Sequence, residues 1–260
     1  MESASLKLPP SDIPILLSSS VVAYDTNVRL LDTDKRLKFA LESVDEWLKI
    51  NPKQPLVLCD GSGFDFSNQM KIRFPSAKFE CLNFENNREM LRHYGRGYGE
   101  DEIVRFALEN SRLIREAGCF AKCTSKLWVE NYSQCAEAWN NRLLCHGVFL
   151  DTFTPFRRTR LAYIDTRFYI ATVTYYRKYF EYAHHRIGMR GGTLFSLEDC
   201  FLEIINEHRL QGILMRASPV ICGVGGGTGR YYRTRPLRRI KDAFRIKLAK
   251  KNPAFRNFFA

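Results

Sequence analysis

Residues 55–63 read PLVLCDGSG: Leu56, Val57, Leu58 and Cys59 form an unbroken apolar run, and Asp60, Gly61, Ser62 and Gly63 follow at once. An apolar run without polar alternation fits a strand covered on both faces, and Asp-Gly and Ser-Gly pairs end such a strand in a turn. Upstream, IPILLSSSVV over Ile13–Val22 predicts another buried strand. Between the two, Leu37, Leu41, Val44, Trp47 and Leu48 recur at helical spacing within residues 30–50, and Asn51-Pro52 closes that helix. Downstream, Lys78–Phe84 reads as a third strand and Glu100–Glu116 as an amphipathic helix with Ile103, Ala107, Leu113 and Ile114 on one side. Phe120–Val129 reads as a strand interrupted by lysines. The second half gives a β-rich Ala162–Thr172, an aromatic and helical Tyr175–Tyr182, a helix over Leu197–Glu207, and a short strand Arg216–Cys222 that runs into the glycine-rich GVGGGTG of 223–229. Strands alternating with helices predict an α/β fold: an open, mostly parallel twisted sheet flanked by helices. Ligands of such sheets sit beyond the carboxyl ends of the strands.

Composition narrows the function. With 45% hydrophobic and 26% charged residues, the 260-residue chain is not a disordered protein and can bury a proper core. No apolar run approaches the roughly 18 residues of a membrane span, and MESASLKLPPSD has no basic segment followed by an apolar one. The expectation is a chain that stays in the cytoplasm. Eight cysteines lie mostly inside apolar segments and none forms Cys-x-x-Cys, which favours reduced buried thiols over disulfides or zinc.

The net charge of +12 is uneven. Residues 230–260 carry eleven Lys or Arg against the single acid Asp242, whereas residues 1–229 carry only +2. A body this close to neutral makes nucleic acid an improbable partner. The tail is amphipathic: Leu237, Ile240, Phe244 and Leu248 repeat at helical spacing, and Arg238, Arg239, Lys241 and Arg245 flank them. That pattern fits a helix lying in an anionic membrane surface. An RNA-binding arm and a helix docked on the protein's own core are the competing readings.

Several segments could carry chemistry. Asp60-Gly61-Ser62 stands where the sheet rule places a ligand, and its carboxylate could accept bonds from a base or ribose; the same residues also make a plain turn. Gly95, Gly97 and Gly99, with Arg96, Tyr98 and Glu100, form GRGYGE ahead of a helix. The segment predicts a loop able to wrap a phosphate or sugar, although it matches neither a dinucleotide fingerprint nor a phosphate-binding Walker loop. The Walker objection also sets aside Gly225–Gly229. Asp165-Thr166-Arg167 lies between apolar stretches, so its charges are either paired or functional. Glu198 and Asp199 open a helix, where they complement its dipole or supply a general base. His184-His185 reads mainly as a surface pair.

Taken together, LVLCDGSG, GRGYGEDEIVRFALENS, FAKCTSKLWVENY, YIDTRFYIA and LEDCFLEII resemble bacterial glycosyltransferases of surface-polysaccharide biosynthesis, of lipopolysaccharide or capsule, with a GT-A-like fold. The resemblance covers residues 13–229, and its most specific parts are GRGYGE with the helix behind it and IDTRF. It implies a GT-A-like domain over 1–229 followed by the basic tail of 230–260. It further implies transfer of a sugar from a nucleotide-activated donor to a saccharide or lipid-linked acceptor, and the basic tail would set the enzyme at the inner face of the cell membrane. Donor-binding residues would be Asp60, Gly61, Ser62, Gly95, Gly97, Tyr98, Gly99, Glu100, Lys122, Lys126 and Arg167; Glu198, Asp199 and Asp165 would be the catalytic carboxylates. One departure matters. Such enzymes usually hold a divalent cation with Asp-x-Asp, and this chain offers Lys122-Cys123-Thr124-Ser125-Lys126 there. Two explanations fit: the enzyme needs no metal, and Lys122, Lys126 or a nearby arginine neutralises the leaving group; or the donor is a sugar activated by a monophosphate, which needs less charge compensation. No cofactor is expected.

Overall fold

A computed structural model describes residues 8–25, 28–154, 156–232 and 236–259. The central sheet holds six strands: β1 (Ile15–Ser19), β2 (Leu56–Asp60), β3 (Phe79–Asn83), β4 (Cys119–Thr124), β6 (Leu143–Leu150) and β7 (Arg160–Thr172), in the order β3-β2-β1-β4-β7-β6. The short β5 (Leu127–Val129) leaves that sheet to join another. Neighbours among β3, β2, β1 and β4 run parallel, and β7 runs antiparallel between β4 and β6. The expected open, mostly parallel α/β sheet is what forms.

The apolar runs are continuous because both faces of the sheet are covered. Ile15 and Leu17 of β1, with Leu56 and Leu58 of β2, pack on the side of α1 (Thr33–Ile50), whose Val44 and Trp47 are fully buried. Leu16, Val57 and Cys59 point the other way, into a core shared with α4 (Arg96–Asn110) and, farther along the chain, α8 (Leu197–Glu207). Each such fully buried aliphatic side chain contributes about 1.5–3 kcal/mol. Asp32 starts α1 by accepting a hydrogen bond from the Lys35 N–H at 3.0 Å, and Asn51 ends it ahead of Pro52.

Two predicted elements divide. The helix expected over Glu100–Glu116 breaks at Ser111 into α4 and α5 (Arg112–Ala117). The Ser111 hydroxyl accepts from Ile114 N at 3.1 Å and donates to Glu80 of β3 at 2.6 Å, a local alternative to helical continuation. The strand expected over Phe120–Val129 turns at Ser125-Lys126, where Lys126 takes φ +73°. Beyond that corner β5 pairs with β10 (Ile221–Val224), and β10 pairs with β11 (Tyr231–Tyr232) to complete a three-stranded sheet. A hairpin of β8 (Gly188–Arg190) and β9 (Thr193–Phe195) precedes α8. The shorter helices are α2 (Ser67–Arg73), α3 (Arg88–Tyr94), α6 (Tyr132–Ala136) and α7 (Val173–Tyr179).

Residues 230–260, expected as a separate tail, are tied into the body at both ends. Tyr231 and Tyr232 extend the small sheet, and α9 (Pro236–Lys251) follows. Phe255, Phe258 and Phe259 then pack on the core, and the Phe258 carbonyl accepts from Ile213 N at 2.8 Å and Leu214 N at 2.7 Å. Helix α9 buries Ile246 and Ala249, while the predicted stripe turns outward, with Leu237 76% and Phe244 52% exposed. The docked-helix and exposed-helix readings therefore describe opposite faces of one element. Among the described residues no helix is long and apolar enough to cross a membrane. Seven of the eight cysteines are buried, and no disulfide joins any two of them among the described residues.

Candidate functional site

An open cleft of about 200 Å³ lies beyond the carboxyl ends of β1 and β4. Ser18, Ser19 and Ser20 bring the end of β1 to it, and Thr124 and Lys126 bring the corner after β4. The first turn of α4 contributes Arg96, Gly99 and Glu100. Gly225–Thr228 and Tyr232 close another side, and Arg167 of β7 and Glu198 of α8 face in. Ala23, Val28, Leu91, Ile103 and Leu127 supply an apolar lining.

Four cations therefore meet at one opening: Arg36, Arg96, Lys126 and Arg167. The Arg36 guanidinium donates to the carbonyls of Ser20 (2.7 Å from Nε) and Leu30 (2.9 Å from Nη1), and so holds both ends of the loop after β1. Lys126 is the most exceptional. It is 4% exposed and its Nζ donates to Ser125 Oγ at 3.1 Å; among the described residues it has no salt-bridge partner. Burial first, and the neighbouring Arg36 second, push its ammonium down to about 7, against a smaller upward pull from Asp60 and Glu100. Arg167 is held by Asp165, with 2.8 Å between Nε and Oδ1. Burial raises the Asp165 carboxyl and Arg167 more than reverses this, so it stays below the usual range.

The carboxylates sort into different tasks. Glu100 accepts from Lys122, from Thr124 Oγ1 at 2.6 Å and from Ser18 Oγ at 3.2 Å; burial works against its charge, and Lys122 with the hydroxyls holds it ionised. Lys122 is buried beneath the cleft and also donates to the Thr166 carbonyl at 2.8 Å, so its charge is spent on the floor of the site. Asp199 closes a capping box with Ser196, accepting from Ser196 N at 2.9 Å and Ser196 Oγ at 2.7 Å. Glu198, one residue earlier, points into the cleft and accepts from Thr166 Oγ1 at 3.2 Å.

Asp60 does not line the cleft. It is 0% exposed and accepts from Val21 N at 2.9 Å, Ser62 N at 2.8 Å, Ser62 Oγ at 2.5 Å and Phe64 N at 3.2 Å. Ser62 in turn accepts from Val22 N at 2.9 Å, and a Cβ on Gly61 would fall 1.8 Å from Asn86 Oδ1. This turn fixes the loop after β1 from behind. Nor is GRGYGE a loop: α4 starts at Arg96, and Gly95 alone, at φ +77°, marks the junction with α3. Gly97 packs on Leu197 and Ile187, and Tyr98 stacks on Tyr94 beside His184, so these two support the helix rather than a ligand. His184 is buried, with Nδ1 2.7 Å from Asp101.

Of the expected donor and catalytic residues, the cleft brings together Gly99, Glu100, Lys126, Arg167 and Glu198. Sequence reading passed over Arg36, Arg96, the serines 18–20 and the glycine loop. The serines end a predicted strand, so the rule that pointed to Asp60 pointed equally to them. Arg96 sits inside GRGYGE itself and lies over Gly227, where an added Cβ would come 1.6 Å from its Nη1. Among the described residues no three His, Cys, Asp or Glu side chains group as metal ligands would.

No protein-family model matches the chain, and no curated protein matches its sequence. Solved structures with a similar course of chain include 4-diphosphocytidyl-2C-methyl-D-erythritol synthase of Anaerococcus prevotii, at 8% identity and TM-score 0.46, covering 92% of this chain and 99% of that one. The inositol-1-phosphate CTP transferase of T. maritima follows at 9% identity and TM-score 0.45, covering 92% and 96%. HddC from Yersinia pseudotuberculosis, complexed with GMP-PN, is similar at 12% identity and TM-score 0.44, covering 89% and 98%. Likenesses at this level assign the chain to no family; its own sheet order and cleft describe it as an α/β protein with a cationic site at the carboxyl end of a mostly parallel sheet.

Proposed function

We propose that the chain is a glycosyltransferase of cell-surface polysaccharide synthesis, taking a sugar from a nucleotide-activated donor to a saccharide or lipid-linked acceptor. The observation that carries this reading is the meeting of Lys126, Arg36, Arg96 and Arg167 around one cleft with the Glu198 carboxylate facing in. Cations at a strand-end cleft suit a nucleotide phosphate, and the apolar lining suits a base. In the proposed step the acceptor hydroxyl gives its proton to Glu198 as its oxygen bonds to the sugar's anomeric carbon. The bond from that carbon to the phosphate oxygen breaks, and the nucleotide leaves with the negative charge. Lys126 and its arginine neighbours neutralise that charge in place of a metal. Thr166 holds Glu198 in position.

The same reading puts the protein at the cytoplasmic face of an anionic membrane. Tyr232 lines the cleft only a few residues before α9 begins at Pro236. Phe244 and Leu248 would enter the interface between Arg238, Arg239, Lys241 and Arg245. A lipid-linked acceptor would then reach the cleft from the surface on which α9 lies.

The test is turnover with a panel of nucleotide sugars, with and without chelator. Release of the free nucleotide with a glycosylated acceptor supports the proposal. Binding without turnover would instead leave a nucleotide-binding protein. Pyrophosphate release from a nucleoside triphosphate and a sugar phosphate would make the chain a nucleotidyltransferase. Loss of activity in chelator, restored by manganese or magnesium, would overturn the metal-free part.

A further inference from the structure

The connection between β6 and β7 carries two aromatic rings that the core does not use. Phe153 is half exposed and Phe156 is wholly exposed. Phe156 also has φ +64°, a conformation costly for a bulky side chain, so its outward position is held against local preference. Arg157, Arg158 and Arg160 follow directly; Asp151, itself at φ +59°, sits 3.6 Å from Arg157 and 3.4 Å from Arg160. This connection is not remote from α9. The Arg245 guanidinium of α9 lies over the Phe153 ring at 5.7 Å, and Arg245 Nη1 is itself anchored on Asp242 at 2.8 Å.

We infer that the β6–β7 connection is a second membrane-contacting element, in which Phe153 and Phe156 enter the interface of an anionic bilayer and the neighbouring arginines meet its headgroups. The inference rests on the proposed placement of α9 at a membrane and extends that surface to residues nearly ninety positions earlier in the chain. Charge complementarity selects the occupant. Exposed aromatic rings set among arginines, continuous with a helix whose exposed stripe is apolar and whose flanks are basic, suit apolar acyl chains beneath anionic headgroups. Anchorage is then a property of the folded body as well as of its last residues.

Full-length protein and vesicles of phosphatidylcholine with phosphatidylglycerol test this. Phe156→Trp adds an exposed reporter; Trp47, Trp128 and Trp139 are buried, so their emission is a constant background measured with the wild type and subtracted. Its emission should shift to the blue on vesicle addition and be quenched by brominated acyl chains. The double variant Phe153→Ser/Phe156→Ser should bind these vesicles roughly tenfold more weakly, with unchanged thermal stability and unchanged turnover on a soluble acceptor. Wild-type vesicle affinity in that variant, or an unshifted and unquenched Trp at position 156, overturns the inference. A parallel Phe244→Ser/Leu248→Ser variant keeps the two ideas apart. If it alone loses binding, α9 remains the anchor and the β6–β7 connection is excluded. If neither double variant loses binding, the membrane reading of α9 falls as well.

Discussion

Replacing Lys126 by Met removes a buried ammonium that lines the cleft and keeps its length. The left-handed backbone at φ +73° is common to both residues and cancels. In the folded protein burial and Arg36 depress this amine from an ordinary 10.5 to about 7, with Asp60 and Glu100 the acidic groups that act on it. The unfolded chain therefore holds a proton on Lys126 that the folded chain releases between about pH 7 and 10.5, and folding stability must rise with pH across that window. One proton corresponds to about 1.4 kcal/mol per pH unit, so between pH 6 and 9 the wild type should gain about 2–3 kcal/mol relative to Lys126→Met. At pH 6, where the ammonium is charged without a carboxylate partner, the Met variant should be the more stable. Urea unfolding of both proteins at intervals of one pH unit measures the difference. The same residue should carry donor affinity: an anionic nucleotide favours the protonated amine, so binding should take up a proton near pH 8 and weaken as pH rises, and Lys126→Met should lose that dependence. Parallel stability curves for the two proteins from pH 6 to 9 would refute the reasoning, because they would show an amine that titrates alike in folded and unfolded chains.

Further outcomes follow from the same geometry. Glu198→Gln should lower transfer roughly 10²–10⁴-fold with donor affinity kept, whereas Asp199→Asn should leave turnover intact and cost about 0.5–2 kcal/mol through its capping box; steady-state kinetics beside thermal melts separates them. Asp60→Ala strands the N–H groups of Val21, Ser62 and Phe64, and urea denaturation should show a loss of about 2–4 kcal/mol. Deleting residues 230–260 should unfold or strongly destabilise the protein, because Phe255, Phe258 and Phe259 pack on the core; a cooperative melt at the wild-type temperature would contradict that packing.

The layered sheet was legible because its signals are local. The apolar runs of β1 and β2, the helical spacing of α1 and the capped start of α8 each announce themselves within a few residues. Strand β6 was not read: LLCHGVFL is mostly apolar, but His146-Gly147 interrupts the run at its middle, and glycine inside a strand weakens the pattern. The site was harder. Asp60 and Glu198 are both acids beside a predicted element, and only the partners of each in three dimensions show that one clamps a loop and the other faces the cleft. GRGYGE reads as a loop because glycines weaken helices, yet here packing on Leu91, Ile187 and Leu197 outweighs that cost. The glycines 225–227 matched no phosphate-binding signature, and what brings them to Lys126 is pairing between β5 and β10, which no local pattern foretells.

The corner between the two sheets bears on how this protein can vary among its descendants. Gly223, at φ +104°, lies so close to Lys126 that an added Cβ would stand 2.1 Å from the Lys126 carbonyl, which also accepts from Val224 N at 2.9 Å. A Cβ on Gly225 would strike the Tyr232 ring at 2.5 Å. Substitution at 223 has to move backbone, and with it the lysine of the cleft; substitution at 225 has to displace the Tyr232 ring, which lines the same cleft. Drift in sequence should therefore be slow at residues 223 and 225 even in relatives that have changed Tyr24, Ala23 or Val28, whose side chains line the opening and can diverge to suit a different donor.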